Sequence, residues 1–207
     1  MSEATNDQQA EEMNEQSKRD LARMKKVGTK HATIALAALT IWGASDYWAS
    51  GSGLLLAEVI TLLNALFVGI IISSIAHEWG HFSGARISGS VAPVMKKPIS
   101  FFMFTFKDDI NSREQFLSMS IGGPAANWVL VIGLFFLLPL ETWSQGLLFA
   151  TTFAIAISVC VFEIPVINSV MYGEQPGETI QRRLNEIGNS ARISGVIAGI
   201  AVWLLAI

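Results

Sequence analysis

The chain has little charge and almost no cysteine. Charged residues make up 15% of its 207 residues, and the one cysteine, Cys160, lies inside an apolar run. A single cysteine excludes an intramolecular disulfide and a cysteine-rich zinc site, so we interpret Cys160 as a packing residue. The net charge of −3 is small, and we expect no nucleic acid among the partners.

Hydrophobic residues are abundant where charge is scarce. They account for 51% of the chain, and the mean hydropathy is positive. Their arrangement in long runs predicts an α-helical polytopic membrane protein in a lipid bilayer, not a single soluble core. We predict a polar and basic tail over residues 1–30 and a membrane domain over 31–207. Its five spans are predicted at approximately 31–48, 54–82, 116–140, 146–169 and 193–207.

The tail begins with acidic residues and ends in a basic segment. We interpret it as a mobile segment that leads into a short, basic, helical stretch at the membrane surface. A cleaved signal peptide is a weaker interpretation, because an acidic leader of this length is atypical of one. His31 is predicted to lie at the membrane interface, and Asp46 at the outer surface.

The second apolar run leads into a His-Glu-x-x-His motif formed by His77, Glu78 and His81. On a helix the two histidines lie one turn apart on one face, where both can bind one Zn²⁺ while Glu78 reaches a metal-bound water. This chemistry is typical of a metal-dependent hydrolase. Alternatively, the histidines are inert and bond to backbone carbonyls or to a neighbouring helix. Ionisable groups in a membrane are costly unless paired or used, which favours a site.

The segment 87–115 breaks the helical pattern. Two apolar, β-prone stretches, 91–95 and 99–106, flank Lys96-Lys97-Pro98, and each is too short to span a membrane as a helix. This pattern predicts a membrane-associated β-hairpin or a re-entrant segment whose open edge could hold an extended peptide. An aromatic-rich amphipathic loop on the bilayer surface is the alternative.

The third and fourth spans carry polar residues at informative depths. Gly123, Pro124 and Asn127 lie in the first half of the third span, where a kinked packing helix is one interpretation and a polar gap filled by Asn127 is the other. Counted from the outer ends of their spans, His77 and Glu163 reach a similar depth, about 25–29 Å. Asn168 lies five residues further inward. Either Glu163 or Asn168 could therefore face a metal ion held by the histidines.

The basic residues predict the orientation. The tail contains six Lys and Arg residues, the hairpin region five and the 170–192 loop three, which together are all 14 in the chain. The positive-inside rule then places the N-terminus in the cytoplasm and the C-terminus outside. We expect an integral, multi-pass protein, with a bacterial inner membrane as the setting.

Together these motifs resemble the site-2 protease family of intramembrane zinc metalloproteases. The resemblance rests on HEWGHFSGAR, on GGPAAN in the next span, on the hairpin between them and on a Pro-containing fourth span. It implies one Zn²⁺ per chain, His77 and His81 as ligands, Glu78 as general base and acid, and Asn127 near the substrate, with Gly123 and Pro124 beside it. It also implies single-span membrane-protein substrates that are cut near the cytoplasmic side.

The chain departs from the family at the third ligand. The family has an aspartate after a proline in its fourth span, but no aspartate follows Asp109 here. A catalytic zinc site normally has three protein ligands, so Glu163, Asn168 or a folded-back Glu174 is the candidate. An alternative function is therefore a catalytically degenerate relative that acts as a binding or assembly subunit, with an unidentified membrane partner. A small transporter is a more remote alternative, because no internal repeat is visible.

Overall fold

A computed structural model describes residues 2–99 and 101–205. Within this part of the chain there are five helices and two short strands. Ser100 of the predicted hairpin and the last two residues of the predicted fifth span lie outside the described residues. The elements are α1 (Ser2–Ser52), α2 (Leu55–Ile87), β1 (Val94–Ile99), β2 (Phe102–Phe104), α3 (Arg113–Leu137), α4 (Trp143–Met171) and α5 (Pro176–Leu205).

The predicted helical membrane class is confirmed. Four helices, α2, α3, α4 and α5, are long and apolar enough to cross a bilayer. Helix α1, which contains the predicted span 31–48, does not belong to this group, so a fifth crossing stays a prediction. The α1 helix also runs without a break through residue 30, where a boundary between tail and membrane domain was predicted.

The prediction of a polar loop over residues 170–192 is wrong. Only residues 172–175 connect α4 to α5, and α5 begins at Pro176, a residue favoured in the first turn of a helix. Two ion pairs, from Arg182 and Arg183 to Glu186 at helical spacing, support this polar stretch. Hydropathy detected only the apolar half of α5, because the polar half is helical without being hydrophobic.

Glycines bring the central helices into close contact. A side chain added at Gly80 of α2 would collide with the backbone carbonyl of Gly122 on α3, and the reverse is equally true. Gly195 and Gly199 of α5 lie against Ala154 of α4 in the same way. Backbones without side chains between them pack closely, which is how membrane helices associate when burial from water does not drive them together.

Strands β1 and β2 form a two-stranded antiparallel sheet between α2 and α3, with Val94 opposite Phe104. At the opposite end of the molecule, Asp46 of α1 is buried, whereas an outer-surface position was predicted. Its carboxylate accepts hydrogen bonds from Thr142, Ser144 and Gln145. These residues begin α4, whose N-terminal dipole also favours a negative charge, and this explains the burial.

Candidate metal centre

His77 and His81 meet Glu163 near the C-terminal ends of α2 and α4. The histidines lie on one face of α2, and their Nε2 atoms are 3.0 Å apart. Glu163 Oε1 lies 3.1 Å from the His77 Nε2 and 3.4 Å from the His81 Nε2. Within the described residues these three side chains form a group able to hold a metal ion.

The other nitrogen of each ring fixes its tautomer. His77 Nδ1 lies 2.8 Å from Asn127 Oδ1, and the Asn127 amide nitrogen donates to the Ser73 carbonyl at 3.1 Å. Because the amide nitrogen is engaged, the amide oxygen faces His77 and His77 Nδ1 must donate to it. His81 Nδ1 donates in the same way to the Met119 carbonyl at 2.8 Å. Both Nε2 atoms are therefore lone-pair acceptors in the neutral rings.

Three acceptors that face one another fit a divalent cation. A tetrahedral ion bound at about 2.1 Å by nitrogen and oxygen needs donor atoms roughly 3.4 Å apart. The observed separations of 3.0, 3.1 and 3.4 Å match that requirement. Glu163 Oε2 is buried without a hydrogen-bond partner among the described residues, so the carboxylate has unused acceptor capacity. The donor set of two imidazoles and one carboxylate suits zinc.

The structure resolves which predicted residue joins the histidines. Glu163 does so, whereas Asn168 is solvent- or lipid-exposed on α4. Five residues of helix correspond to a rotation of about 140° beyond a full turn, so the two side chains leave α4 on different faces. Glu174 is engaged elsewhere, as an acceptor from Thr179 and Arg182. Glu163 is therefore the third candidate ligand.

The residues predicted to position a substrate lie against the two histidines. Asn127 is 1% exposed, its amide oxygen contacts His77 Nδ1, and its amide nitrogen donates to the Ser73 carbonyl. A side chain at Gly123 would lie 2.5 Å from the His81 ring and 2.7 Å from the His77 ring. Pro124 is buried beside it in α3. The GGPAAN stretch thus leaves room for the two imidazoles and orients one of them.

Glu78 faces the hairpin. It is 6% exposed, and its Oε1 accepts a hydrogen bond of 2.8 Å from the backbone N–H of Met103 in β2. His77 and Glu78 line a pocket of about 290 Å³ together with the aromatic residues Phe101 and Phe102. The hairpin therefore holds the predicted general base at the wall of a cavity that reaches a candidate ligand.

Residues 20–31 of α1 cover the other side of the hairpin. Val27 packs with Val94 and Met103, and the Arg23 guanidinium donates to the Val94 carbonyl at 3.2 Å. Asp20 pairs with Arg86 at 2.9 Å. The sequence signal for this surface is the helical spacing of residues 20, 23, 27 and 31, which hydropathy does not detect because the surrounding tail is polar.

His31, predicted to lie at the membrane interface, is buried inside the protein. It is 1% exposed, its Nδ1 accepts a hydrogen bond of 3.1 Å from Trp79 Nε1, and its ring meets Phe101 edge-on. Trp79 directly follows Glu78 in α2. The histidine is buried because it joins α1 to both α2 and the hairpin.

No protein-family profile, curated protein or solved structure matches the chain.

Proposed function

We propose that this protein is an intramembrane zinc metalloprotease that hydrolyses peptide bonds of membrane-embedded substrates. The observation that carries the proposal is the convergence of His77 Nε2, His81 Nε2 and Glu163 Oε1 within 3.4 Å of one another, next to a His-Glu-x-x-His glutamate on a pocket wall. Its resemblance to the site-2 protease motifs supports the same reaction class.

In the proposed reaction, a bound zinc ion and the side chains of the protein have different roles. Zinc held by these residues would lower the pKa of its bound water to about 7 and polarise a substrate carbonyl. Glu78 takes a proton from the attacking water on its carboxylate and returns it to the leaving amine. The Met103 N–H fixes one Glu78 oxygen, which leaves the second oxygen for proton transfer. Asn127 and the Met119 carbonyl keep both imidazoles in the ligand tautomer.

Strand β2 supports a role for the hairpin in substrate binding. Phe102 is 63% exposed and lines the pocket beside Glu78. A helical substrate hides its carbonyls in its own hydrogen bonds, so the segment to be cut must unwind. Pairing against the hairpin edge would hold the unwound strand. We infer single-span membrane proteins as substrates, selected by the membrane segments or by a membrane partner.

The setting follows from charge. The three basic segments meet at one end of the molecule, as the Arg23 contact with β1 and the approach of Arg113 to Gly173 illustrate. We propose that this end, with the metal centre, faces the cytoplasm of a bacterial cell, so that the N-terminus is cytoplasmic and a crossing by α1 leaves the C-terminus outside.

The test uses Glu78→Gln and, as a matched control, Glu58→Gln near the other end of the same helix. Purified variants are incubated with a set of synthetic single-span peptides in H₂¹⁸O, and new carboxyl termini are read by mass spectrometry. We expect ¹⁸O-labelled fragments from wild type and E58Q, and at least about 100-fold less from E78Q, because the general base is lost. E78Q should retain its zinc.

The competing function is the degenerate binding subunit. It predicts weak or absent zinc and no difference between wild type and E78Q. Equal ¹⁸O incorporation by both proteins, or cleavage unaffected by a zinc chelator, would contradict the protease proposal.

A further inference from the structure

A second, larger groove lies away from the metal centre, along α4 between α2 and α5. Its volume is about 320 Å³. Small residues of α4 form its floor, with Ala150, Ala154 and Ser158 spaced one turn apart, and apolar side chains of α2 and α5 form its walls. We call this the α4 groove.

The length of the α4 groove corresponds to one acyl chain. It extends along α5 from Arg192 to Trp203, and eleven residues of helix span about 16 Å. The hydrocarbon of one leaflet is about 15 Å thick. A transmembrane helix 10 Å wide and equally long would occupy about 1,300 Å³, roughly four times the groove. A single hydrocarbon chain therefore fits the groove better than a helix.

The inner end of the groove carries a positive charge. Arg192 is the only lysine or arginine in residues 184–205. Its side chain is exposed and has no ion-pair partner among the described residues, whereas Arg182 and Arg183 on the same helix pair with glutamates. An unpaired cation on a membrane-spanning helix is costly. An arginine can extend toward the headgroup region, where anionic groups are available.

We propose that the α4 groove binds an anionic phospholipid from the leaflet on the side of the metal centre. The lipid phosphate pairs with the Arg192 guanidinium, and one acyl chain lies over the small residues of α4 toward Trp203. Charge complementarity selects the headgroup, and the apolar walls bind the chain. This site does not depend on the metal centre or on proteolysis. It shares Ile155 with the pocket beside Glu78, so a bound lipid would border that pocket.

The experiment is native mass spectrometry of the full chain released from detergent containing equal amounts of phosphatidylglycerol and phosphatidylcholine. We expect wild type to retain one phosphatidylglycerol in preference to phosphatidylcholine. Arg192→Gln should reduce that retention by about fivefold, the effect of one cation near an anionic lipid. Arg182→Gln, on the same helix but outside the groove, should behave as wild type.

A second variant tests the groove itself. Val196→Trp places a large side chain in the groove at an exposed position and should reduce retention of both lipids. Equal retention of the two lipids by wild type, unchanged phosphatidylglycerol binding in R192Q, or binding of a synthetic single-span peptide with no lipid would each overturn the proposal. Neither R192Q nor V196W should change the zinc content, so the lipid-binding result is independent of the protease proposal.

Discussion

At the scale of single residues, the candidate metal centre is defined by what surrounds it. Asn127 and the Met119 carbonyl accept hydrogen bonds from the Nδ1–H groups, so both Nε2 lone pairs face the Glu163 carboxylate. Acceptors at such distances repel unless a cation or shared protons lie between them. Zinc and a protonated histidine–glutamate pair are the two solutions, and metal binding distinguishes them.

Asn127→Ala tests the contribution of the surrounding residues. Loss of the acceptor for His77 Nδ1 releases the ring tautomer, and such changes typically reduce metal affinity by about 10–100-fold. Competition with a zinc chelator measures this affinity. Asn168→Ala removes the exposed asparagine on α4 and should leave it unchanged. Equal affinities in N127A and wild type would show that the hydrogen bond to His77 has no influence on the site.

At the scale of helices and strands, two contacts position the site. The first is the glycine crossing of α2 and α3, which brings the histidines against Gly123. The second is the attachment of α1 to the hairpin, which in turn holds Glu78. In both cases residues outside the group of candidate ligands set the geometry of the site.

Gly122→Ala should disturb the first contact. Its methyl group would enter the Gly80 backbone, whereas the same change at Gly133 of the same helix meets nothing within 4 Å. Overpacking of this kind costs about 1–3 kcal/mol. We expect G122A to unfold at lower denaturant concentration than wild type and to bind zinc less tightly. G133A should match or exceed wild-type stability, since alanine favours helix. Identical unfolding of the two variants would argue against a close crossing.

Asp20→Ala should loosen the second contact. Hydrogen exchange of the β1 and β2 amides should accelerate, by at most about fivefold, because Arg86 is partly exposed and its ion pair is screened. The double variant D20R/R86D should recover part of the protection. It cannot recover all, since Arg86 also donates to the Ala92 carbonyl. Lys26→Ala, on the exposed face of α1, serves as control. Unchanged hydrogen exchange in D20A would show that the contact of α1 does not stabilise the hairpin.

At the scale of the whole molecule, hydropathy predicted the helical membrane class and depth matching placed Glu163 level with His77. Depth alone could not separate Glu163 from Asn168, because that choice depends on the rotation of α4 about its axis. Hydropathy also missed the polar half of α5, whose helix is supported by ion pairs. Hydropathy also predicted a span within α1, but α1 is not among the four helices that are apolar enough to cross a bilayer.

Burial of polar residues was the hardest feature to predict. Polarity predicts the membrane interface for His31 and the outer surface for Asp46. Both side chains are instead buried inside the protein against partners distant in sequence, Trp79 for His31 and the start of α4 for Asp46. A single sequence shows each residue's polarity but not the helix that will supply its hydrogen bonds.

The most direct test of the central claim is the zinc content of the purified protein, measured by mass spectrometry of the metal in wild type, Glu163→Gln and Asn168→Ala. We expect about one zinc per chain in wild type and in N168A, and a large loss in E163Q, because a three-ligand site loses its carboxylate. A wild-type protein that is folded but free of zinc after supplementation, or an E163Q variant that retains the full amount, would contradict the assignment of His77, His81 and Glu163 as a metal centre.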